Sequence, residues 1–210
     1  MKKFVGKFHY LTQDLANFSH LQQAIMACQT GANWIQYRCF SKTDEKMLEE
    51  IHPIAQICDD WGTTLIITEH YHLLKLADIQ GVHIEDMDAD LNAIRAYIGN
   101  DKTLGASANT IQQIIKQHNN SADYVGCGPY GHTNTKPNTE SHWGLQGYKN
   151  AATQLQQMGI QIPLIAAGGI SLNDVEPLLQ TGIYGVAVSE SINKAINPQQ
   201  AFKDVYQCVY

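Results

Sequence analysis

The sequence predicts an α/β fold in which eight parallel strands close into a single barrel, with the working residues at the C-terminal ends of the strands. Two observations carry that expectation. Short apolar runs alternate with longer stretches whose apolar positions recur at three- and four-residue steps, the pattern of strands joined by crossover helices. Eight such runs fit within 210 residues, the small end of the range for a β/α barrel, with an open doubly wound sheet as the second choice. No composition break or low-complexity run interrupts the chain, so residues 1–210 read as one domain.

In chain order, Phe8-His9-Tyr10-Leu11-Thr12 is the first predicted strand, followed by an amphipathic stretch from Leu21 to Cys28. Trp34-Ile35-Gln36-Tyr37-Arg38 precedes the helical pattern of Asp44 to Cys58, and Thr64-Leu65-Ile66-Ile67-Thr68 is the third strand. Gly81-Val82-His83-Ile84 leads into Leu91 to Ile98, and Leu104-Gly105-Ala106-Ser107 into Ile111 to Gln117. Asp123-Tyr124-Val125-Gly126 precedes Tyr148 to Met158, and Pro163-Leu164-Ile165-Ala166-Ala167 precedes Leu172 to Leu179. Tyr184-Gly185-Val186-Ala187-Val188 is the eighth strand, and Gln199 to Cys208 the last helix. Each connection is short except Gly128 to Gly144, the one long loop.

A formal net charge of −6 with 14 basic residues gives no basic footprint for nucleic acid. The longest apolar runs fall short of a membrane span, and the segment from Met1 to Lys7 lacks the apolar core of a signal peptide, so a soluble cytoplasmic protein is expected. The five cysteines, Cys28, Cys39, Cys58, Cys127 and Cys208, are odd in number and lack a CxxC pair, which reads as free thiols.

Strand ends carry the chemistry. They present Gln36 and Arg38; Thr68, Glu69 and His70; Glu85, Asp86 and Asp88; Ser107; Gly128 to Lys136; Gly168-Gly169; and Ser189-Glu190. Cations, carboxylates and glycines together suit a phosphorylated substrate with Mg²⁺, because Mg²⁺ takes oxygen ligands while cations and backbone N–H groups hold phosphate. Ala166-Ala167-Gly168-Gly169-Ile170, followed about 20 residues later by Gly185-Val186-Ala187-Val188-Ser189, matches the phosphate pocket of the last two strands of many barrels.

Three other patterns are set aside. Gly126-Cys127-Gly128-Pro129-Tyr130-Gly131 satisfies GxGxxG, but Pro129 and the polar residues beyond it read as a loop where a dinucleotide site needs a helix. Asp86-Met87-Asp88-Ala89-Asp90-Leu91 opens like a calcium loop but has Leu91 where the turn demands glycine. His70-Tyr71-His72, placed on the first turn of a helix, points its two rings to different sides and reads as two hydrogen-bonded or solvated histidines.

Ala122-Asp123-Tyr124-Val125-Gly126-Cys127-Gly128-Pro129, continuing to Thr133-Asn134-Thr135-Lys136, resembles the ADYVGxGP…TxTK motif of the thiamine-phosphate synthase (thiamine-phosphate pyrophosphorylase) family. Gln36-Tyr37-Arg38, Gly81-Val82-His83, Gly105-Ala106-Ser107-Ala108-Asn109-Thr110, Gly168-Gly169-Ile170 and Gly185-Val186-Ala187-Val188 extend the resemblance, in order, over nearly the whole chain. The resemblance implies a transferase that joins hydroxymethylpyrimidine diphosphate to a thiazole phosphate, releasing pyrophosphate first, with Mg²⁺ as cofactor. Carried over, Gln36, Arg38 and Thr68 hold the pyrimidine diphosphate, Ser107 and Lys136 reach the pyrophosphate, and Arg38, Ser107 and Lys136 serve catalysis. Glu69 and Asp88 bind Mg²⁺; Thr133 and Thr135 line the thiazole phosphate side; Gly169 and Ser189 hold the phosphate; Asn134 and Glu190 complete the substrate-binding positions. The implied partners are these small molecules and a possible homo-oligomer.

Three departures stand out. Phe40 occupies the place of a family lysine, a loss of about 1 to 4 kcal/mol of attraction for a diphosphate, with Lys42 the nearby replacement. Thr68-Glu69 replaces Asn-Asp, and Glu190 replaces a small residue where an inward carboxylate repels phosphate. They keep two alternatives open: a thiazole tautomerase-like isomerase, with His132 its nearby base and Pro129 where its relatives carry histidine, and a non-catalytic paralogue that binds a thiamine-pathway phosphate.

Overall fold

A computed structural model of the protein describes residues 3–132 and 142–210. Eight strands, β1 (Phe8–Leu11), β2 (Trp34–Tyr37), β3 (Thr64–Thr68), β4 (Gly81–Ile84), β5 (Thr103–Ala108), β6 (Tyr124–Cys127), β7 (Leu164–Ala167) and β8 (Gly185–Val188), follow one another round a closed parallel barrel. β8 returns to β1, pairing Val186 with Phe8 and Val188 with Tyr10. The doubly wound alternative is thereby excluded. Each observed strand lies within about one residue of its predicted bounds at either end.

The helices are α1 (His20–Gln29), α2 (Asp44–Asp60), α3 (Leu91–Ile98), α4 (Ile111–Asn119), α5 (Gly144–Gln157), α6 (Leu172–Leu179), α7 (Glu190–Asn193) and α8 (Pro198–Val209). Their starts are written in side chains. Capping boxes pair Ser19 with Gln22, Thr110 with Gln113 and Ser171 with Asp174, and the Asp90 carboxylate accepts from the first-turn N–H groups of α3. Asp90 is therefore a cap, in line with setting the calcium reading aside. No helix opens within the GxGxxG stretch; α5 begins at Gly144.

One connection departs from the helical expectation. Between β3 and β4 the chain makes only a 3₁₀ turn, Tyr71–Lys75, because residues 69–80 leave too little chain for an α-helix and both of its connections. His70 caps that turn from outside it. Among the described residues no helix is long and apolar enough to cross a membrane.

Two apolar layers build the core. The larger lies between barrel and helices; the smaller fills the barrel with Val5, Trp34, Ile66, Tyr124, Ile165 and Ala187. His9 stacks on Trp34 with ring centroids 4.4 Å apart, and His83 stacks on Tyr124 at 5.5 Å. Gly105 makes that interior possible: a Cβ there would fall on the Tyr124 ring. His9 is fully buried, and burial, with the neighbouring His83, lowers its pKa to about 3, so it stays neutral at physiological pH.

Candidate active site

Alternation along the strands turns Gln36, Thr68, His83 and Ser107 toward the upper barrel, where register sets Gln36 beside Ile66, Thr68 beside His83 and Ser107 beside Gly126. Gln36 Nε2 donates to Thr68 Oγ1 at 2.8 Å, and both residues are buried. Thr68 thus takes over part of what an amide would do, by fixing the glutamine beside it. Ser107 Oγ lies 3.0 Å from His83 Nε2, and the other ring nitrogen lies 3.1 Å from the Tyr124 hydroxyl. Burial holds the Tyr124 phenol well above its usual pKa, so its proton stays in place.

Arg38 leaves the end of β2 and meets Glu85 from the end of β4. Its Nε donates to Glu85 Oε1 at 2.6 Å and its Nη2 to Oε2 at 3.2 Å. The two side chains are only 15% and 16% exposed, which makes this two-toothed pair far firmer than a surface salt bridge. The guanidinium also lies over the Phe40 ring, 4.6 Å from its centroid. Phe40 therefore replaces a cation with a surface that seats one. Lys42 turns away, pairing with Glu50 of α2 at 2.7 Å, and does not fill the missing place.

The loop carrying Arg38 is pinned beneath. Asp14 Oδ1 accepts from His20 Nε2 at 2.9 Å, from the Cys39 thiol at 3.2 Å and from the Ser41 hydroxyl at 2.9 Å, while Oδ2 accepts from the Phe40 N–H at 3.1 Å. Burial pushes the Asp14 pKa up, but His20, the Phe40 N–H, Cys39 and Ser41 outweigh it and bring it to about 2.

The two carboxylates expected to hold Mg²⁺ are employed locally. Glu69 adopts a left-handed φ of 64°, and its Oε1 accepts from the N–H groups of Glu85 and Asp86 at 2.5 and 2.9 Å. Asp88 is 96% exposed and lies 3.3 Å from Lys116 Nζ. Neither belongs to a cluster of three or more ligand atoms among the described residues. Yet Glu69, Glu85, Asp86 and Asp88 all follow the ends of β3 and β4 in the chain, which puts oxygen donors on the connections after these two strands. That chemistry fits Mg²⁺, which usually binds one or two carboxylates, keeps several waters and completes its shell with substrate phosphates.

Across the barrel, a pocket of about 230 Å³ opens between β7 and β8. Gly168, Gly169, Ile170 and Ser171 line one side, Ser189, Glu190 and Ser191 the other, and His132 the rim. Gly168 and Gly169 have φ of 88° and 71°. A Cβ on Gly169 would collide with the backbone of Gly131 and His132, and one on Gly168 would press on Pro129 at 3.0 Å. The glycines therefore admit a neighbouring segment of the same chain: after the cis Gly128–Pro129 bond, the Tyr130 N–H donates to Ala167 O at 2.8 Å and the Gly131 N–H to Gly168 O at 3.0 Å. This ladder carries residues 130–132 to the edge of the pocket. Glu190 lies 2.6 Å from Lys194 Nζ one turn on, which offsets the carboxylate beside the phosphate seat.

Thr133, Asn134, Thr135 and Lys136 lie outside the described residues. Cys127 is buried and its thiol is pushed well above its ordinary pKa by burial, which makes it a packing group and no nucleophile. Sequence reasoning assigned no role to His83 or Glu85. His83 was detectable, since it alternates inward with Gly81; the partnership of Glu85 with Arg38 joins residues 47 apart and left no local signal.

A closed β/α barrel with a glycine-walled pocket between its last two strands, and an arginine–carboxylate pair at the ends of β2 and β4, has the architecture of a barrel enzyme with its site at the C-terminal strand ends. The chain belongs to the thiamine monophosphate synthase family, whose model matches residues 10–192. It is 32% identical over 192 residues to the thiamine-phosphate synthase of Phocaeicola vulgatus, covering 91% of this chain and 92% of that one. It is 32% identical over 196 residues to the thiamine-phosphate synthase of Bacteroides fragilis, covering 93% and 96%. The thiamine phosphate pyrophosphorylase of Pyrococcus furiosus superposes with a TM-score of 0.84 at 22% identity, covering 97% of this chain and 95% of that one, and so shares the fold.

Proposed function

We propose that the protein is a thiamine-phosphate synthase, a transferase that joins hydroxymethylpyrimidine diphosphate to a thiazole phosphate and releases pyrophosphate. The observation that carries this reading is the pairing of two anion-suited regions on one barrel face: the phosphate pocket of Gly169 and Ser189, and the Arg38–Ser107 side with its carboxylates.

Departure of pyrophosphate breaks the bond to the pyrimidine methylene carbon, and the thiazole nitrogen then captures that carbon. The chain's task is to neutralise the leaving charge and keep water out. Gln36, fixed by Thr68, orients the pyrimidine. Where Tyr124 donates to His83 Nδ1 and His83 Nε2–H donates to Ser107, the serine proton is free for a diphosphate oxygen. Arg38 and Lys136 supply positive charge, and Thr133, Asn134 and Thr135 hold the thiazole side. Glu69 and Asp88 would hold Mg²⁺, which supplies charge neutralisation at the diphosphate.

One observation favours a second reading. His132 borders the phosphate pocket, while Arg38 is held by Glu85, an arrangement that also suits an isomerase acting on one thiazole phosphate. Complementation of a strain lacking its own thiamine-phosphate synthase separates the two. Growth without thiamine supports the synthase; failure to grow, with isomerisation of the thiazole carboxylate phosphate in vitro, supports the isomerase.

A further inference from the structure

Two imidazoles and a carboxylate converge at the C-terminal ends of the barrel strands, after β2 and β3. Asp44 is the first residue of α2, and His70 and His72 flank Tyr71 where β3 gives way to the 3₁₀ turn. His70 Nδ1 lies 3.2 Å from Asp44 Oδ1, and His72 Nε2 lies 2.6 Å from Asp44 Oδ2. The three donor atoms all fall within 4.8 Å of one another. This corrects the expectation that the two rings diverge. That expectation put both on one helical turn, whereas His70 stands outside the turn, so no helical period sets its direction.

We propose that Asp44, His70 and His72 form a binding site for a divalent transition-metal ion of the Zn²⁺ class. Two imidazole nitrogens and one carboxylate oxygen are the donors that such ions prefer, whereas Mg²⁺ and Ca²⁺ seek oxygen throughout. With bonds of about 2.0–2.2 Å, a tetrahedral Zn²⁺ sets its ligand atoms roughly 3.3 Å apart. His70 Nδ1 and His72 Nε2 reach different oxygens of the carboxylate, at 3.2 and 2.6 Å, and the donor set as a whole lies within 4.8 Å, so side-chain rotations must draw it to that spacing. All three side chains have room for it, being 28%, 45% and 49% exposed for His70, His72 and Asp44. Without metal, His72 Nε2 is hydrogen-bonded to the carboxylate at 2.6 Å and His70 Nδ1 faces it at 3.2 Å, with a ring proton to be given up at each. On binding, that proton moves through solvent to the other ring nitrogen, or is released from a charged ring, and the freed lone pair takes the metal. Three protein ligands leave a fourth position for water.

The buried Asp14, His20 and Cys39 form the other such cluster among the described residues. It is the weaker candidate, because a metal there would displace the hydrogen bonds that shape the Phe40 loop. The rim site would instead clip the start of α2 to the turn that follows Glu69, so occupancy should raise thermal stability by mass action. The inference does not rest on the synthase reading.

The test is titration of chelator-stripped full-length protein with ZnCl₂ in buffer saturated with Mg²⁺, read by competition with a chromogenic chelator and by thermal melting. One equivalent should bind with micromolar or tighter affinity, and Zn²⁺ should raise the melting temperature. His72→Ala and His70→Ala should weaken binding at least tenfold and abolish that rise, while melting like wild type without metal. Cys39→Ser should bind as wild type does. Equal affinity in wild type and the double variant His70→Ala/His72→Ala would overturn the proposal, as would the absence of saturable binding or a loss confined to Cys39→Ser.

Discussion

Replacing Glu85 by glutamine tests whether Arg38 is a diphosphate ligand held in reserve. The wild-type pair makes two charge-assisted bonds, at 2.6 and 3.2 Å, in a setting where each side chain is about one-sixth exposed. An incoming diphosphate must compete with that carboxylate for the same guanidinium. Hydrogen bonds to charged groups are worth about 1.5–3 kcal/mol net, and glutamine keeps one acceptor oxygen while giving up the negative charge. Pyrophosphate should therefore bind Glu85→Gln about ten- to a hundredfold more tightly than wild type. The assay is calorimetric titration of pyrophosphate in excess Mg²⁺ with wild type, Glu85→Gln, Arg38→Ala and the double variant, closing a double-mutant cycle. The gain should vanish when Arg38 is absent. Unchanged or weaker binding by Glu85→Gln, or a gain that persists without Arg38, would refute the reasoning.

Lys136→Ala should lower turnover at least tenfold, about 1.4 kcal/mol of barrier, in steady-state assays of pyrophosphate release. Gly169→Ala should cost about 1–3 kcal/mol of stability, because φ of 71° strains alanine and its Cβ meets the Gly131–His132 backbone, and should weaken phosphate binding; denaturant melts and calorimetry read the two effects. His9 titrates near 3 in the folded protein and at 6.5 when unfolded, so the unfolded chain binds more protons between those values. Stability should be full above pH 6.5 and fall by up to about 1.4 kcal/mol per pH unit as pH drops toward 3, and His9→Phe should flatten that slope in urea melts. Chelation with EDTA should stop pyrophosphate release and added Mg²⁺ restore it; undiminished release in EDTA would remove Glu69 and Asp88 from the proposal.

Much of the fold was legible because its signals are local. Short apolar runs, apolar positions at three- and four-residue steps, and the glycines after β7 each occupy a few consecutive residues. The 3₁₀ turn after β3 escaped because His70 to Lys75 resembles a first helical turn, and only the shortness of residues 69–80 argues otherwise. Side-chain partnerships were harder. That Arg38 meets Glu85, that Lys42 turns to Glu50, and that Glu190 meets Lys194 depend on how separate elements pack, or on rotamers. The phosphate glycines were found for half of their reason: the sequence suggested an anion, whereas the structure adds the passage of residues 129–132.

The most direct test of the account mixes purified protein with hydroxymethylpyrimidine diphosphate, thiazole phosphate and Mg²⁺, all saturating, and follows thiamine phosphate and pyrophosphate together. Both products should form in equal amounts, and only when both substrates are present. No thiamine phosphate above background would contradict it.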